Sequence, residues 1–176
     1  MATTNFSIDL RSDTVTRPTA EMRKAINSAI TGDDVFQEDP EINELQRRCA
    51  EMFGMEAGLY CPSGTMTNQI AISVHTYRGD EVICDKLSHV YNYEGGGIAR
   101  LSGASVRLME GNRGRFTADD VVNAINPDDS HYANTSLICL EDTCNKGGGA
   151  IWDEGEILKI SKVARENGLA IHLDGA

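Results

Sequence analysis

The sequence predicts an α/β domain built on a mostly parallel sheet with helices on both faces. Three observations lead there. Apolar runs of strand length (81–84, 104–109, 135–140 and 169–173) alternate with stretches of helical period, the connections between them are short, and polar residues cluster where the runs end. Parallel strands joined by helices bring their carboxyl ends to one edge, and sites in such sheets gather beyond that edge. Asp85 to His89, Glu141 to Asn145 and Asp174 stand at such ends, and Ser63 to Thr65 are expected at a further one, after an apolar run through Ala57, Leu59 and Tyr60.

Composition narrows the function classes. With 176 residues, 40% of them hydrophobic, the chain is long enough for one sizeable core. Twenty-seven acidic against sixteen basic residues give a net charge of −11, dispersed along the chain, which argues against non-specific binding to nucleic acid or to an anionic membrane. No apolar run reaches membrane-spanning length, and residues 1–8 lack the basic and apolar blocks of a signal peptide, so a cytoplasmic setting is expected. The five cysteines are odd in number and fall at neither zinc-ligand nor redox-motif spacing. Cys84 and Cys139 read as small buried hydrophobes, whereas Cys144 lies in a loop and is the thiol whose reactivity matters most.

Taken in order, residues 1–18 read as an irregular polar arm carrying Asp9, Arg11, Ser12, Asp13, Thr14 and Arg17, and residues 19–176 as the folded remainder. From Thr19 a helical period places Met22, Ala25, Ile26, Ala29 and Ile30 on one face and stops at Gly32. The acidic stretch Gly32 to Asp39 lacks the alternating oxygen ligands and distal glutamate of a calcium loop, so no metal is expected there. Pro40 suits the first turn of a helix running to Phe53, with Ile42, Leu45, Cys49, Met52 and Phe53 inward and Gly54 as its stop.

The turn Cys61, Pro62, Ser63, Gly64 is the stretch around which the rest is organised. Pro62 resists continuing a strand, Gly64 frees the backbone to bend, and Thr65 can cap a helix that carries Met66, Ile70, Ala71 and Val74. Such a helix start presents unpaired N–H groups and a positive dipole end, which suits a phosphate, although alone it also reads as an ordinary capped helix. Further on, Gly95 to Gly97 do not follow a strand in the dinucleotide-binding arrangement and are expected to let two backbones pass closely. Thr117 reads as a helix cap with Asp119 and Asp120 in the first turn, and a helix over Glu154 to Asn167, burying Ile157, Leu158, Ile160, Val163 and Ala164, stops at Gly168.

Several motifs in order resemble the low-specificity L-threonine aldolases. They are the arm from Asp9 to Pro18, the segment Gly32, Asp33, Asp34, Val35 with Glu38, Asp39 and Pro40, the turn Pro62, Ser63, Gly64, Thr65, and the closing His172, Leu173, Asp174, Gly175, Ala176. The resemblance covers essentially the whole chain and implies the N-terminal part of the large domain of a fold-type-I enzyme that uses pyridoxal 5'-phosphate. It implies that Ser63, Gly64 and Thr65 hold the cofactor phosphate, that Asp174 pairs with the pyridine nitrogen, and that His89 stacks on the ring. It further implies that Ser12 binds the substrate carboxylate, that Glu141 and Asn145 line the cofactor side, and that His89 or His131 takes the proton of the substrate hydroxyl. Read locally, Asp174 is also a turn aspartate before glycine, and both histidines are also exposed loop residues. The implied reaction cleaves threonine or allo-threonine to glycine and acetaldehyde, in a protein that assembles as a homotetramer when full length.

Departures from the family pattern are equally specific. The lysine that the family joins to its cofactor, and the arginine that grips the substrate carboxylate, are expected downstream of Ala176, so the sequence reads as an N-terminal piece, inactive by itself. Lys24, Lys86, Lys146, Lys159 and Lys162 read as solvated. Phe36 stands where the family often has tyrosine, and Cys144 where it often has histidine. The alternatives are another pyridoxal-phosphate lyase of the same fold type, which would release pyruvate and ammonia, and a non-catalytic piece that keeps the fold.

Overall fold

A computed structural model describes residues 8, 9 and 12–175. Leu10, Arg11 and Ala176, which belong to the motifs above, lie outside the described residues. The chain forms two compact units, one up to Tyr60 and one from Cys61 onward.

The first unit carries two helices, α1 (Ala20–Ser28) and α2 (Pro40–Phe53). Thr19 caps α1 through its side chain. Asp39 caps α2 by accepting from the N–H groups of Glu41 and Ile42, and its other oxygen accepts from Gly32. The acidic stretch therefore supplies a helix cap. Gly54 ends α2 at φ 63°, a left-handed position that a side chain would strain. Neither helix buries a residue completely, so the inward faces expected for Met22 and Ile26, and for Leu45, Met52 and Phe53, are corrected: all five are exposed. The unit has no sheet among its described residues on which an apolar helix stripe could close.

No strand precedes Ser63, which corrects a second expectation. The backbone donor of Tyr60 is taken by the Gln46 side chain at 2.9 Å, and Gly58 lies where a Cβ would meet the carbonyl of Gln46. These residues pack on α2 and leave no free ladder edge.

The second unit holds α3 (Gly64–Val74), β1 (Glu81–Asp85), α4 (His89–Asn92), β2 (Ser105–Met109), α5 (Ala118–Ala124), β3 (Thr135–Glu141), α6 (Glu154–Glu166) and β4 (Ala170–Asp174). The four strands pair in parallel in the order β2-β1-β3-β4. Side-chain alternation then splits the core in two. Val82, Cys84, Leu137 and Cys139 face Ile72 of α3 together with Val90 and Ile98, while Ile83, Ile138 and Leu140 face Val121 of α5, Ile160 and Ala164 of α6, Phe116 and Trp152. The mostly parallel sheet with helices on both faces is thus present. From β1 the chain moves outward to β2, and from β3 it moves the other way to β4, so β1 and β3 flank the point where the winding reverses.

Local chemistry differs from expectation at three places. The cap of α3 is Ser63, whose Oγ accepts from the Met66 N–H at 3.2 Å, so Thr65 is the second helical residue. The buried face of α3 is Asn68, Gln69 and Ile72, with Met66 and Val74 exposed. Gly95 and Gly96 take φ of 64° and 68°, and Gly97 leaves room for the Gln69 side chain, so the glycine run supplies turns and a side-chain berth in place of a backbone crossing. A π-helical turn, Ile98–Ser102, follows it. On α6, Leu158 is exposed while Ile160 and Ala164 are buried.

Candidate functional site

Beyond the carboxyl ends of β1, β3 and β4, the second unit gathers three carboxylates, two histidines and two amides. Glu141, the last residue of β3, is buried and bridges two loops. One carboxylate oxygen accepts from the His89 backbone N–H at 2.7 Å and the other from the Asn145 N–H at 2.9 Å. Both oxygens thus serve backbone donors of the two loops. Asp174 ends β4 in register with Glu141 and is half-buried. The Asn68 side chain of α3 stands beside the Asp174 carboxylate and favours its charged form.

The same Asn68 amide donates to Glu94 Oε1 at 2.8 Å, and its carbonyl oxygen lies 2.9 Å from His172 Nε2. An amide oxygen only accepts, so His172 is the donor in that last bond. Gln69 donates to the other Glu94 oxygen at 2.5 Å, and His89 Nδ1 lies 2.9 Å from Glu94 Oε1. One atom from each of His89, Glu94 and Asp174 falls within 4.8 Å of the others. Sequence reading missed Asn68, Gln69 and Glu94. The signals were there: two adjacent amides inside an otherwise apolar helical stretch, and a glutamate directly before three glycines.

Electrostatics of the cluster follow from burial. Burial pushes the Asp174 carboxyl above its usual 3.8, with the nearby Glu94 charge adding to the rise while the Asn68 amide and the two histidines oppose it. Burial lowers His172 below its usual 6.5. A cation between Asp174 and Glu94 would relieve this. The set could be read as metal ligands, but Glu94 already accepts from Asn68 and Gln69 and has His89 Nδ1 at 2.9 Å, which leaves little of its lone-pair capacity for a metal.

The start of α3 completes the picture. Gly64 and Thr65 belong to its first turn, whose N–H groups have no carbonyl one turn earlier in the helix. At Gly64 an added Cβ would meet nothing, so the cap opens onto free space. Asn68 sits four residues along the same helix, which places the Asp174 contact roughly 6 Å along the axis from that open end. An anionic group at the cap and a protonated ring nitrogen at Asp174 are therefore compatible with one extended planar ligand. His89, at the first position of α4, has its ring 5.5 Å from that of Tyr93, over which the Lys146 ammonium stands at 4.9 Å. Lys86, Lys159 and Lys162 pair with Glu110, Glu156 and Glu166 on the surface.

Two sequence candidates stand elsewhere. His131 lies four residues before β3, at the opposite end of that strand from Glu141, and is exposed with its Nδ1 2.7 Å from Asp129. Seven strand residues separate the two ends, roughly 20 Å, so the chain does not bring His131 to its own cluster. Ser12 belongs to the first unit, where its hydroxyl accepts from Thr14 and donates to Asp13. Cys144, expected in an open loop, is fully buried against Gly114 and Gly147, and burial raises its thiol. No helix among the described residues is long and apolar enough to cross a membrane.

Comparison with known proteins bears on this geometry. The profile of the beta-eliminating lyase family matches residues 9–176. The low-specificity L-threonine aldolase of Escherichia coli K12 is 41% identical over 170 residues, covering 96% of this chain and 50% of that protein. The Saccharomyces cerevisiae protein of the same name is 43% identical over 172 residues, covering 96% and 44%. Among solved structures, the threonine aldolase of Leishmania major aligns with a TM-score of 0.58 at 27% identity, covering 63% of this chain and 32% of that one. The chain thus spans about half the length of the curated relatives it matches.

Proposed function

Because this chain belongs to the beta-eliminating lyase family, we propose that its cluster is one side of a pyridoxal 5'-phosphate site in a protein that cleaves threonine and allo-threonine to glycine and acetaldehyde. The fold is that of the large domain of fold-type-I enzymes. One observation carries the reading: a half-buried carboxylate, Asp174, stands beside Asn68, which lies about 6 Å along α3 from that helix's open first turn, with His89 at the same cluster.

When bound, the cofactor supplies an electron sink for the pair released as the Cα–Cβ bond breaks. The chain's own residues do the rest. The N–H groups of Gly64 and Thr65, with the Ser63 cap, hold the phosphate through directed donors and the helix dipole. Asp174, disfavoured as a lone anion where it stands, gains from a protonated ring nitrogen and keeps that proton in place. Glu141 fixes the backbone of His89, so the imidazole projects from a set position. His89 is the group of this chain placed to take or return the proton of the substrate hydroxyl, whereas His131 would serve only where another surface brings it to the cluster. Ser12 is assigned to the substrate carboxylate on the resemblance, and homo-oligomeric assembly belongs to the same reading.

The test uses the whole protein that carries this chain. Supplied with pyridoxal 5'-phosphate it should show a visible absorption band and convert threonine to glycine and acetaldehyde, and Asp174→Ala should abolish both. Pyruvate and ammonia as products would replace aldol cleavage with elimination. Failure to retain the cofactor at all would overturn the reading.

A further inference from the structure

We propose that Glu94 is a positioning residue that dictates which nitrogen of His89 carries the proton, leaving Nε2 as the nitrogen free to accept one. The proposal deepens the reading above and rests on it for its purpose, but its physical content concerns only protein atoms.

Glu94 has a fully inaccessible side chain, and among the described residues no lysine or arginine pairs with it. Its two oxygens are met by Asn68 and Gln69 from one turn of α3 and by His89 from α4. A carboxylate that is ionised only accepts hydrogen bonds. The Asn68 amide cannot turn over without presenting its oxygen to Glu94 and losing its bond from His172. Gln69 fills the berth that Gly97 leaves open, with its amide N–H turned to Glu94. The carboxylate position is therefore fixed from two sides, and the remaining contact, His89 Nδ1 at 2.9 Å, must be Nδ1–H donating to Oε1.

The consequence reaches the chemistry. In a neutral imidazole one nitrogen donates and the other accepts, so a proton held at Nδ1 leaves Nε2 with its lone pair. That is the state a general base needs, and the arrangement uses the same logic by which a buried carboxylate orients a catalytic histidine. The His89 backbone is held separately by Glu141, so ring orientation and backbone position have independent supports.

The experiment is nitrogen NMR on ring-labelled histidine in the protein without added cofactor, at a pH where His89 is neutral. His89→Asn identifies the His89 signals among those of the four histidines. The expected spectrum has Nδ1 protonated and Nε2 pyridine-like. Glu94→Gln, which keeps the shape and removes the charge, should shift the tautomer ratio towards Nε2–H by about tenfold, the scale of one charge-assisted hydrogen bond. Glu94→Asp should restore part of the Nδ1–H form. A predominant Nε2–H form in the parent protein, or a ratio unchanged by Glu94→Gln in a variant with parental near-ultraviolet dichroism, would overturn the proposal. If Glu94→Gln fails to fold, the parent spectrum alone decides. Loss of the cofactor band with the tautomer result intact would count against the pyridoxal-phosphate reading and leave this assignment standing.

Discussion

Asn68→Leu should be among the most damaging conservative-sized changes in the second unit. The amide is buried and joins three partners: it donates to Glu94, accepts from His172 and stands beside the Asp174 carboxylate, whose charged form it favours. Leucine matches the volume but leaves Glu94 short of a donor, Asp174 without its neighbouring amide and one imidazole N–H without its acceptor. Hydrogen bonds to charged groups contribute about 1.5–3 kcal/mol each, and a buried group left unpaired costs about 1–3 kcal/mol. Asp174 and His172 are only half-buried and can turn to water, and the new side chain adds about 1 kcal/mol of apolar burial, so the net loss is about 3 kcal/mol. For a unit of this size that corresponds to a fall in Tm of about 12 °C. Thermal unfolding followed at the Trp152 near-ultraviolet band reads it directly. Asn68→Asp adds a control, because a third carboxylate should hurt most near neutrality and progressively less as the pH is lowered. A loss under about 1 kcal/mol for the leucine variant, or no pH dependence for the aspartate, would refute the view that this amide ties the cluster together.

Three further outcomes follow from the same geometry. Gly97→Ala should cost about 1–3 kcal/mol in chemical denaturation, because the added methyl displaces the Gln69 amide from Glu94. His172 is lowered below 6.5 by burial, so the folded state binds fewer protons than the unfolded one just below that value and stability should fall as pH drops from about 6.5; His172→Gln should flatten that slope. Thiol titration of the native chain should count Cys49 and Cys61 promptly, whereas the buried Cys84, Cys139 and Cys144 should react only after denaturation, with Cys84 further protected by a thiol pushed up to about 12.

The layered fold was legible because it depends on signals that are local and repeated. The apolar runs through Val82 to Cys84 and Leu137 to Leu140 are strands buried on both faces, and Thr117, Pro40 and Gly54 announce helix ends through their own chemistry. The residues at strand ends, Asp85, Glu141 and Asp174, were legible for the same reason. What escaped was whatever depends on partners far along the chain. Asn68 and Gln69 look like the polar side of an amphipathic helix until Glu94, some 25 residues later, turns that side inward. The strand expected before Ser63 failed because its backbone donor bonds a side chain fourteen residues earlier, which no periodicity reports. The position of His131 depends on which end of β3 it adjoins, a matter of topology that its neighbours do not encode.

The bond between His172 and Asn68 spans 104 residues, joining the last strand of the unit to its first helix. Every other strand and helix of the unit lies within that interval, so β4 must dock before α3 can settle its amide. Loops of such length close slowly, and the contact forms after any early nucleus. During synthesis the candidate phosphate cradle therefore exists as a helix end before it exists as a site, and affinity for the ligand should arise together with the final strand.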